Sequence, residues 1–205
     1  MSILRCKIEN SHGAVMKMRS INLSEHEVLA ALDDKLGLVV RPVKPQPIEI
    51  CLEDGLGLVV PQTPRGCPLG VPGDRLRCKE TWCCPIDTAP QTAVYRADYP
   101  DCVPSCYENI PQPATLSWRS PATMPAWASR ITLEVGDVRC CRLHQLCEDD
   151  FRMVLGEPMG APASHELYTE ILALFKTMWR HRYGKRYPWE SNPFVWAAKV
   201  KRVEG

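Results

Sequence analysis

Lys35 and Glu80 are two side chains whose chemistry would matter if the fold brought them to one cleft. A lysine beside a carboxylate in a partly dry pocket alters the proton affinity of both groups and can bind the polar edge of a base. Trp82 follows Glu80 by two residues and therefore shares its strand face, where its ring could stack on a base. The plainer alternative is a surface lysine, a solvated glutamate and a core tryptophan.

Several arginines are candidates for phosphate contacts, because the planar guanidinium matches the geometry of phosphate oxygens. The candidates are Arg41, Arg75 and Arg130, and Trp127 offers a further ring for stacking. Residues 176–186 interleave basic and aromatic side chains. That pattern suits single-stranded nucleic acid, but it also fits the polar C-terminal end of a helix.

The chain has 11 cysteines, an odd number, and its N-terminal residues do not form an export signal. We therefore expect free thiols in a cytoplasmic protein rather than a disulfide framework. Cys83, Cys84, Cys102 and Cys106 could together bind zinc and order an irregular segment. Their spacing is not the usual C-x-x-C, so the expectation is no cofactor, with zinc as the alternative.

Length and charge limit the partners of this chain. Its 205 residues, 45% of them hydrophobic, fit a single domain over 1–205. The net charge is only +1, which favours a small ligand or a short single strand over long duplex. No apolar run is long enough to span a bilayer, so we expect no membrane partner. We expect a monomer, with a weak dimer as the alternative.

Hydrophobic periodicity predicts an α+β fold in which a small β-barrel carries peripheral helices. Ser24 and Glu27 form the sequence pattern of a capping box at the start of a helix over 24–35. Residues 83–117 are polar, proline-rich and irregular, which indicates an insertion within the domain. The remaining predicted helices are 146–155 and 165–182, and the predicted strands are 38–43, 48–51, 57–60, 74–82, 93–95, 130–143 and 194–203.

Six ordered segments carry a family resemblance. They are residues 67–76 (CPLGVPGDRL), 79–82 (KETW), 95–98 (YRAD), 118–121 (WRSP), 124–133 (MPAWASRITL) and 189–196 (WESNPFVW). Together they resemble phage- and prophage-type proteins of the ASCH group, in the PUA-like superfamily. The resemblance implies a PUA-like β-barrel with a cleft beside a helix. It also implies an accessory protein whose cleft binds a nucleotide or nucleic acid, such as RNA or a modified base.

Two other functions are compatible with the same resemblance. Some ASCH proteins resemble small amidohydrolases acting on an N4-acylated cytidine, and Lys35 and Glu80 match their lysine and glutamate. Leu36 and Leu38 fall near the family's threonine positions, so no hydroxyl nucleophile is matched there and the expectation is a protein that is not an enzyme. The other alternative is a phage protein-interaction factor that uses the insertion, flanked by Trp82 and Trp118, as its contact surface.

Overall fold

The computed structural model describes residues 16–46, 48–52, 55–59, 67–84, 92–105, 108–160 and 164–203. Among these, three α-helices and nine strands follow one another along the chain. The helices are α1 (Glu25–Leu32), α2 (Glu148–Leu155) and α3 (His165–Tyr183). The strands are β1 (Met18–Asn22), β2 (Leu38–Pro42), β3 (Ile48–Leu52), β4 (Gly55–Val59), β5 (Arg75–Lys79), β6 (Trp82–Cys83), β7 (Val94–Tyr95), β8 (Thr132–Arg142) and β9 (Phe194–Val203).

A five-stranded mixed sheet forms the centre of the fold, in the order β1-β5-β8-β9-β2. β1 runs parallel to β5, and the other neighbours in this sheet are antiparallel. Two two-stranded sheets, β3-β4 and β6-β7, accompany it. The α+β class predicted from the sequence is confirmed. Among the described residues, no helix has both the length and the apolar character needed to cross a membrane.

Where β2 pairs with β9, the central sheet is buried on both faces, and each face belongs to a different core. On β2, Val39 packs with α1 and β5, while its neighbours Leu38 and Val40 pack with α2 and α3. Alternate residues of a strand point to opposite faces, so one short strand serves both cores. The two cores fix α1 on one side of the sheet and the α2–α3 pair on the other.

The start of α1 matches the sequence pattern closely. The side chain of Ser24 accepts from the backbone N–H of Glu27, and the Glu27 carboxylate accepts from the backbone N–H of Ser24, as a capping box requires. β2 was predicted as an edge strand because Pro42 lacks an N–H, and it does lie at an edge of the sheet.

Three elements differ from the sequence prediction. The single strand expected over 74–82 is divided into β5 of the central sheet and β6 of a separate two-stranded sheet. β1 (Met18–Asn22) has no hydrophobic alternation to reveal it, since only Ile21 in it is buried, and it forms by parallel pairing with the distant β5. Gly136 and Asp137 were expected to form a turn. They instead make an irregularity in the pairing of one continuous strand, β8, with β9.

The predicted insertion over 83–117 begins within β6 and contains β7 and short 3₁₀ turns at Arg96–Asp98 and Pro113–Thr115. Backbone pairing between Trp82 and Arg119, which flank the insertion, brings its two ends together. Residues 85–91, 106 and 107 of this segment lie outside the described residues.

Candidate ligand cavity between the first and third helices

A cavity of about 860 Å³ opens between the N-terminal end of α1 and the C-terminal half of α3. Arg41 on β2, Thr81 between β5 and β6, and Arg96 complete its polar lining. This volume lies within the range of small-molecule sites, roughly 300–1,000 Å³.

The polar floor of the cavity is an ion-pair cluster centred on Glu27. Arg41 donates from Nη1 to Glu27 Oε1 at 2.7 Å and from Nη2 to Oε2 at 3.2 Å, while Arg182 donates to Oε2 from α3. Both arginines also donate to the backbone carbonyl of Asn22, at 3.1 Å from Arg41 and 2.6 Å from Arg182. One buried carboxylate and one carbonyl therefore position two guanidinium groups at the cavity.

Burial and ion pairing act in opposite directions on Glu27. Burial alone would raise the pKa of this carboxyl, but the charges of Arg41 and Arg182 and the hydrogen bonds from Arg41 and Ser24 outweigh it, so the pKa falls from 4.5 to about 2. Glu27 is therefore ionised at neutral pH. The cavity lining includes three arginines and two glutamates, which gives a net charge of +1 with neutral histidines.

The position of Arg182 follows from the packing of α3. Ile171, Phe175 and Trp179 are the buried residues of this helix, spaced by four residues along one face. Arg182 comes three residues after Trp179, so it extends the same face beyond the core and into the cavity. Arg180, one position after Trp179, is exposed and lies outside the cavity lining.

Aromatic and apolar side chains form the rest of the wall. Phe175, Met178 and Trp179 line it from α3, and Val154 lines it from α2. Tyr183 is only half-buried, packs on Trp179 at 4.8 Å between ring centroids and lies under the guanidinium of Arg182. Its exposed part gives the cavity an aromatic surface beside a cation.

The structure does not bring Lys35 and Glu80 together. Lys35 follows the C-terminal end of α1, where its ammonium pairs with Asp33 at 3.0 Å in solvent. Glu80 lies near the other end of the helix, because the N–H of Leu23 donates to the carbonyl of Lys79 at 2.9 Å. The eight-residue helix α1 is about 12 Å long, and the two residues lie near its opposite ends. Neither of them lines the cavity.

Glu80 belongs instead to a buried ion-pair network. Arg130 donates to both oxygens of Glu80, at 2.9 Å each, and to both oxygens of Asp98, at 2.6 and 2.8 Å. Its guanidinium also lies 3.8 Å from the ring centroid of Tyr95. Burial raises the pKa of Glu80, and the bonds from Arg130 offset only part of that rise. Arg130 therefore links the end of β5 to the insertion and is not directed at the cavity.

Trp82 is buried, as Glu80 is, but the two residues do not share a strand, because β5 ends at Lys79 and β6 begins at Trp82. Trp82 is 4% exposed and packs with Met124 and Ala128. This corrects the expectation that its ring is presented to a ligand, because the residue between the two, Thr81, is the one that lines the cavity. Trp127 is 51% exposed and packs edge-on against Trp82, outside the cavity lining.

The other predicted arginines, Arg41 and Arg75, lie in different parts of the structure. Arg41 lies on the cavity floor, and the predicted basic and aromatic stretch 176–186 also lines the cavity, through Trp179, His181, Arg182 and Tyr183. Arg75 is half-buried on β5, outside the cavity lining, and its Nε has no hydrogen-bond partner among the described residues.

The cysteines that were candidates for zinc are thiols in the described part of the chain. Of these candidates, Cys83, Cys84 and Cys102 are free thiols. Cys102 donates to the carbonyl of Tyr95 and accepts from its N–H, and burial raises its pKa to about 11, as suits a protonated thiol.

Cys106 lies outside the described residues. Within the ranges that the structure covers, no group of three or more cysteine, histidine or acidic side chains is placed to hold a metal ion.

Sequence reasoning included Arg182 only as one member of the basic stretch 176–186, and it missed the central role of Glu27. The signal for Arg182 was present, since continuing the apolar face of α3 from Met178 by four residues reaches it. Glu27 was recognised only as a helix cap, and its partners are 14 and 155 residues away in the sequence. Comparisons of this chain with protein-family models, with curated proteins and with solved structures find no match.

Proposed function

We propose that this chain is a nucleotide- or nucleic-acid-binding module whose ligand occupies the cavity between α1 and α3. The observation that carries the proposal is the pair of guanidinium groups, Arg41 and Arg182, held by Glu27 beside the half-buried ring of Tyr183. Guanidinium groups bind phosphate oxygens, and an aromatic face stacks a base. The two recognition elements of a nucleotide are thus next to each other.

Each arginine has a distinct part in the proposed site. Arg41 has a side chain only 12% exposed and holds the cluster together, while that of Arg182 is 26% exposed and can reach an incoming anion. In the two hydrogen bonds that it donates to Glu27 and Asn22, Arg182 uses two of the five N–H donors of a guanidinium. A phosphate can therefore bind Arg182 without breaking its contact with Glu27.

The PUA-like barrel belongs to the same proposal. The central sheet has β1 and β2 at its two edges, and its long antiparallel pair β8–β9 is interrupted by an irregularity between Val135 and Val138. Such irregularities increase strand twist and favour closure of a sheet. The expected cleft beside a helix corresponds to the cavity beside α1, which supports a phage-type ASCH module over an amidohydrolase built on Lys35 and Glu80.

The proposal is tested by calorimetric titration of the purified chain with nucleosides, nucleoside monophosphates and short RNA and DNA strands. We expect monophosphates to bind more tightly than the matching nucleosides, because the phosphate meets Arg182. Arg182→Ala should weaken monophosphate binding about tenfold or more, and Arg182→Lys should lose less, since it keeps the charge but not the planar fork.

Arg180→Ala is the matched control, since it removes a neighbouring exposed arginine of α3 that does not line the cavity. It should leave binding unchanged. No binding of any of these ligands at millimolar concentration would reject the proposed function. Equal effects of the Arg182 and Arg180 substitutions would show that only non-specific charge attracts the ligand.

A further inference from the structure

A second, smaller cavity of about 390 Å³ is formed by the insertion together with Trp118, which directly follows it. Tyr99, Leu116 and Trp118 supply most of its apolar lining, with Pro113 and Ala114 beside them. The rings of Tyr99 and Trp118 meet edge to face, with centroids 5.6 Å apart.

The polar atoms of both rings are already held by the insertion itself. Trp118 Nε1 donates to the carbonyl of Pro113 at 3.0 Å, and the hydroxyl of Tyr99 donates to the carbonyl of Pro111. Both rings are half-buried. Their orientation is thus set without a ligand, and what remains to contact one is aromatic surface, which stacks any base without selecting its sequence.

Arg96 lines both cavities. Its side chain is 55% exposed and pairs with Glu25 at 3.1 Å, and the side chain of Glu25 is 51% exposed. An ion pair at this exposure contributes little to stability, so a phosphate can replace the carboxylate at low cost. Arg96 thus lies between a cavity that contains arginines and a cavity that contains aromatic rings. A phosphodiester that links two nucleotides would need a cation at such a position.

We propose that the ligand is a single strand of at least two nucleotides, which crosses from one cavity to the other at Arg96. This inference rests on the proposed function. One nucleotide occupies the cavity between α1 and α3, the linking phosphate contacts Arg96, and the next base stacks on Trp118 and Tyr99. The near-neutral charge of the chain agrees with a short strand held by local contacts rather than a long duplex.

The experiment compares nucleoside monophosphates with single-stranded RNA and DNA tetranucleotides in calorimetric titrations of the full chain. We expect tetranucleotides to bind at least tenfold more tightly than monophosphates. Trp118→Ala should remove about tenfold of the tetranucleotide affinity and leave monophosphate affinity within twofold. Trp118→Phe retains an aromatic face and loses only the bond to Pro113, so it should keep most of the affinity.

Arg96→Ala provides a second variant that needs no change in the core of the insertion. It should weaken tetranucleotide binding and reduce the slope of log affinity against log salt by about 0.7, the value for one phosphate contact on a single strand. Lys199→Ala, at an exposed β9 position outside both cavities, is the matched loss of one charge and should change neither.

The outcomes separate this inference from the proposed function. If monophosphates bind through Arg182 but tetranucleotides bind no more tightly, the second cavity is not a nucleotide site and the inference fails alone. If neither binds, both fail. A proline-rich decapeptide is titrated in parallel. Peptide binding that Trp118→Ala abolishes, with tetranucleotide binding unaffected, would assign the second cavity to a protein partner and overturn the inference.

Discussion

Arg182 near the end of α3 donates a hydrogen bond to the carboxylate of Glu27 in the first turn of α1, across 155 residues of sequence. The same carboxylate closes the capping box of α1 and holds Arg41 of the edge strand β2. A single acidic side chain thus fixes two helices and a strand around the cavity. Its charge is required for the shape of the site as well as for its electrostatics.

Glu27→Ala should destabilise the protein far more than Arg182→Ala. Removing Glu27 leaves Arg41, which is 12% exposed, without its partner, and such a loss costs about 3–5 kcal/mol. Removing Arg182 leaves the Glu27–Arg41 pair intact, so we expect about 1 kcal/mol. Urea unfolding measures both values, with Arg180→Ala as a control expected within about 0.5 kcal/mol of the wild type. Equal losses from the two substitutions would contradict the central role of Glu27.

The stability of the protein should fall in acid partly through Glu27. Its pKa is lowered from 4.5 to about 2 in the folded state, so its stabilising effect is complete above pH 4.5 and is lost as the pH falls towards 2. A shift of this size corresponds to about 3 kcal/mol. Glu27→Gln should flatten the dependence of unfolding free energy on pH in this range.

Asp74 also has a lowered pKa, because its hydrogen bonds from Lys17, Val71 and Arg19 outweigh its burial. The wild type and Glu27→Gln share that contribution, so the difference between their two pH profiles isolates Glu27. A constant difference between pH 5 and pH 2 would show that Glu27 is not the titrating group. Glu134→Gln, at an exposed position of β8, is the matched control substitution of a surface carboxylate.

Local signals in the sequence were sufficient for most elements of the fold. The capping box of Ser24 and Glu27 predicted the start of α1, and Pro42 predicted an edge strand, since both depend on neighbouring atoms. β1 could not be predicted in this way. It pairs with β5, more than 50 residues later, and its own sequence buries only Ile21.

The candidate site was harder to predict because it depends on which face of each element turns inward. Glu80 and Trp82 were predicted to face a ligand, but both are buried, and periodicity alone cannot tell a core face from a ligand face. Arg41 was predicted, whereas Lys35 is separated from the cavity by the length of α1. Arg182 reaches the cavity only because of the way α3 packs, and that packing depends on segments that are far apart in the sequence.

The thiols should differ strongly in reactivity. Cys147 is exposed, whereas Cys78 is buried, and its pKa is raised first by burial and then by the charge of Glu27. Burial likewise raises the pKa of Cys67 to about 11. Among these three thiols, iodoacetamide at pH 8 should therefore modify Cys147 first, and Cys67 and Cys78 only after unfolding. Peptide mass mapping over time measures this order, and early labelling of Cys78 would contradict its burial.

Arg130→Ala should destabilise the protein without changing monophosphate binding per folded molecule. The substitution leaves Glu80, whose side chain is 4% exposed, without its bidentate partner, and we expect a loss of about 3–5 kcal/mol. Adding Glu80→Gln removes the buried charge and should recover part of that loss. Urea unfolding of the two single variants and the double variant measures the coupling. If the double variant loses the sum of the two single losses in unfolding free energy, the contact between Arg130 and Glu80 does not itself stabilise the protein.

Trp82→Ala tests whether this ring is core or ligand contact. Trp82 is 4% exposed, packs on Met124 and Ala128, and meets Trp127 at 6.2 Å between centroids, so its loss leaves a cavity worth about 3–5 kcal/mol of stability. The melting temperature should fall by several degrees, while monophosphate affinity measured well below it, per folded molecule, stays within twofold. Trp127→Ala removes a ring that is 51% exposed and should cost about 1 kcal/mol or less. A tenfold loss of affinity in Trp82→Ala with little change in melting temperature would return Trp82 to the binding site and require the local structure around β6 to open when a ligand binds.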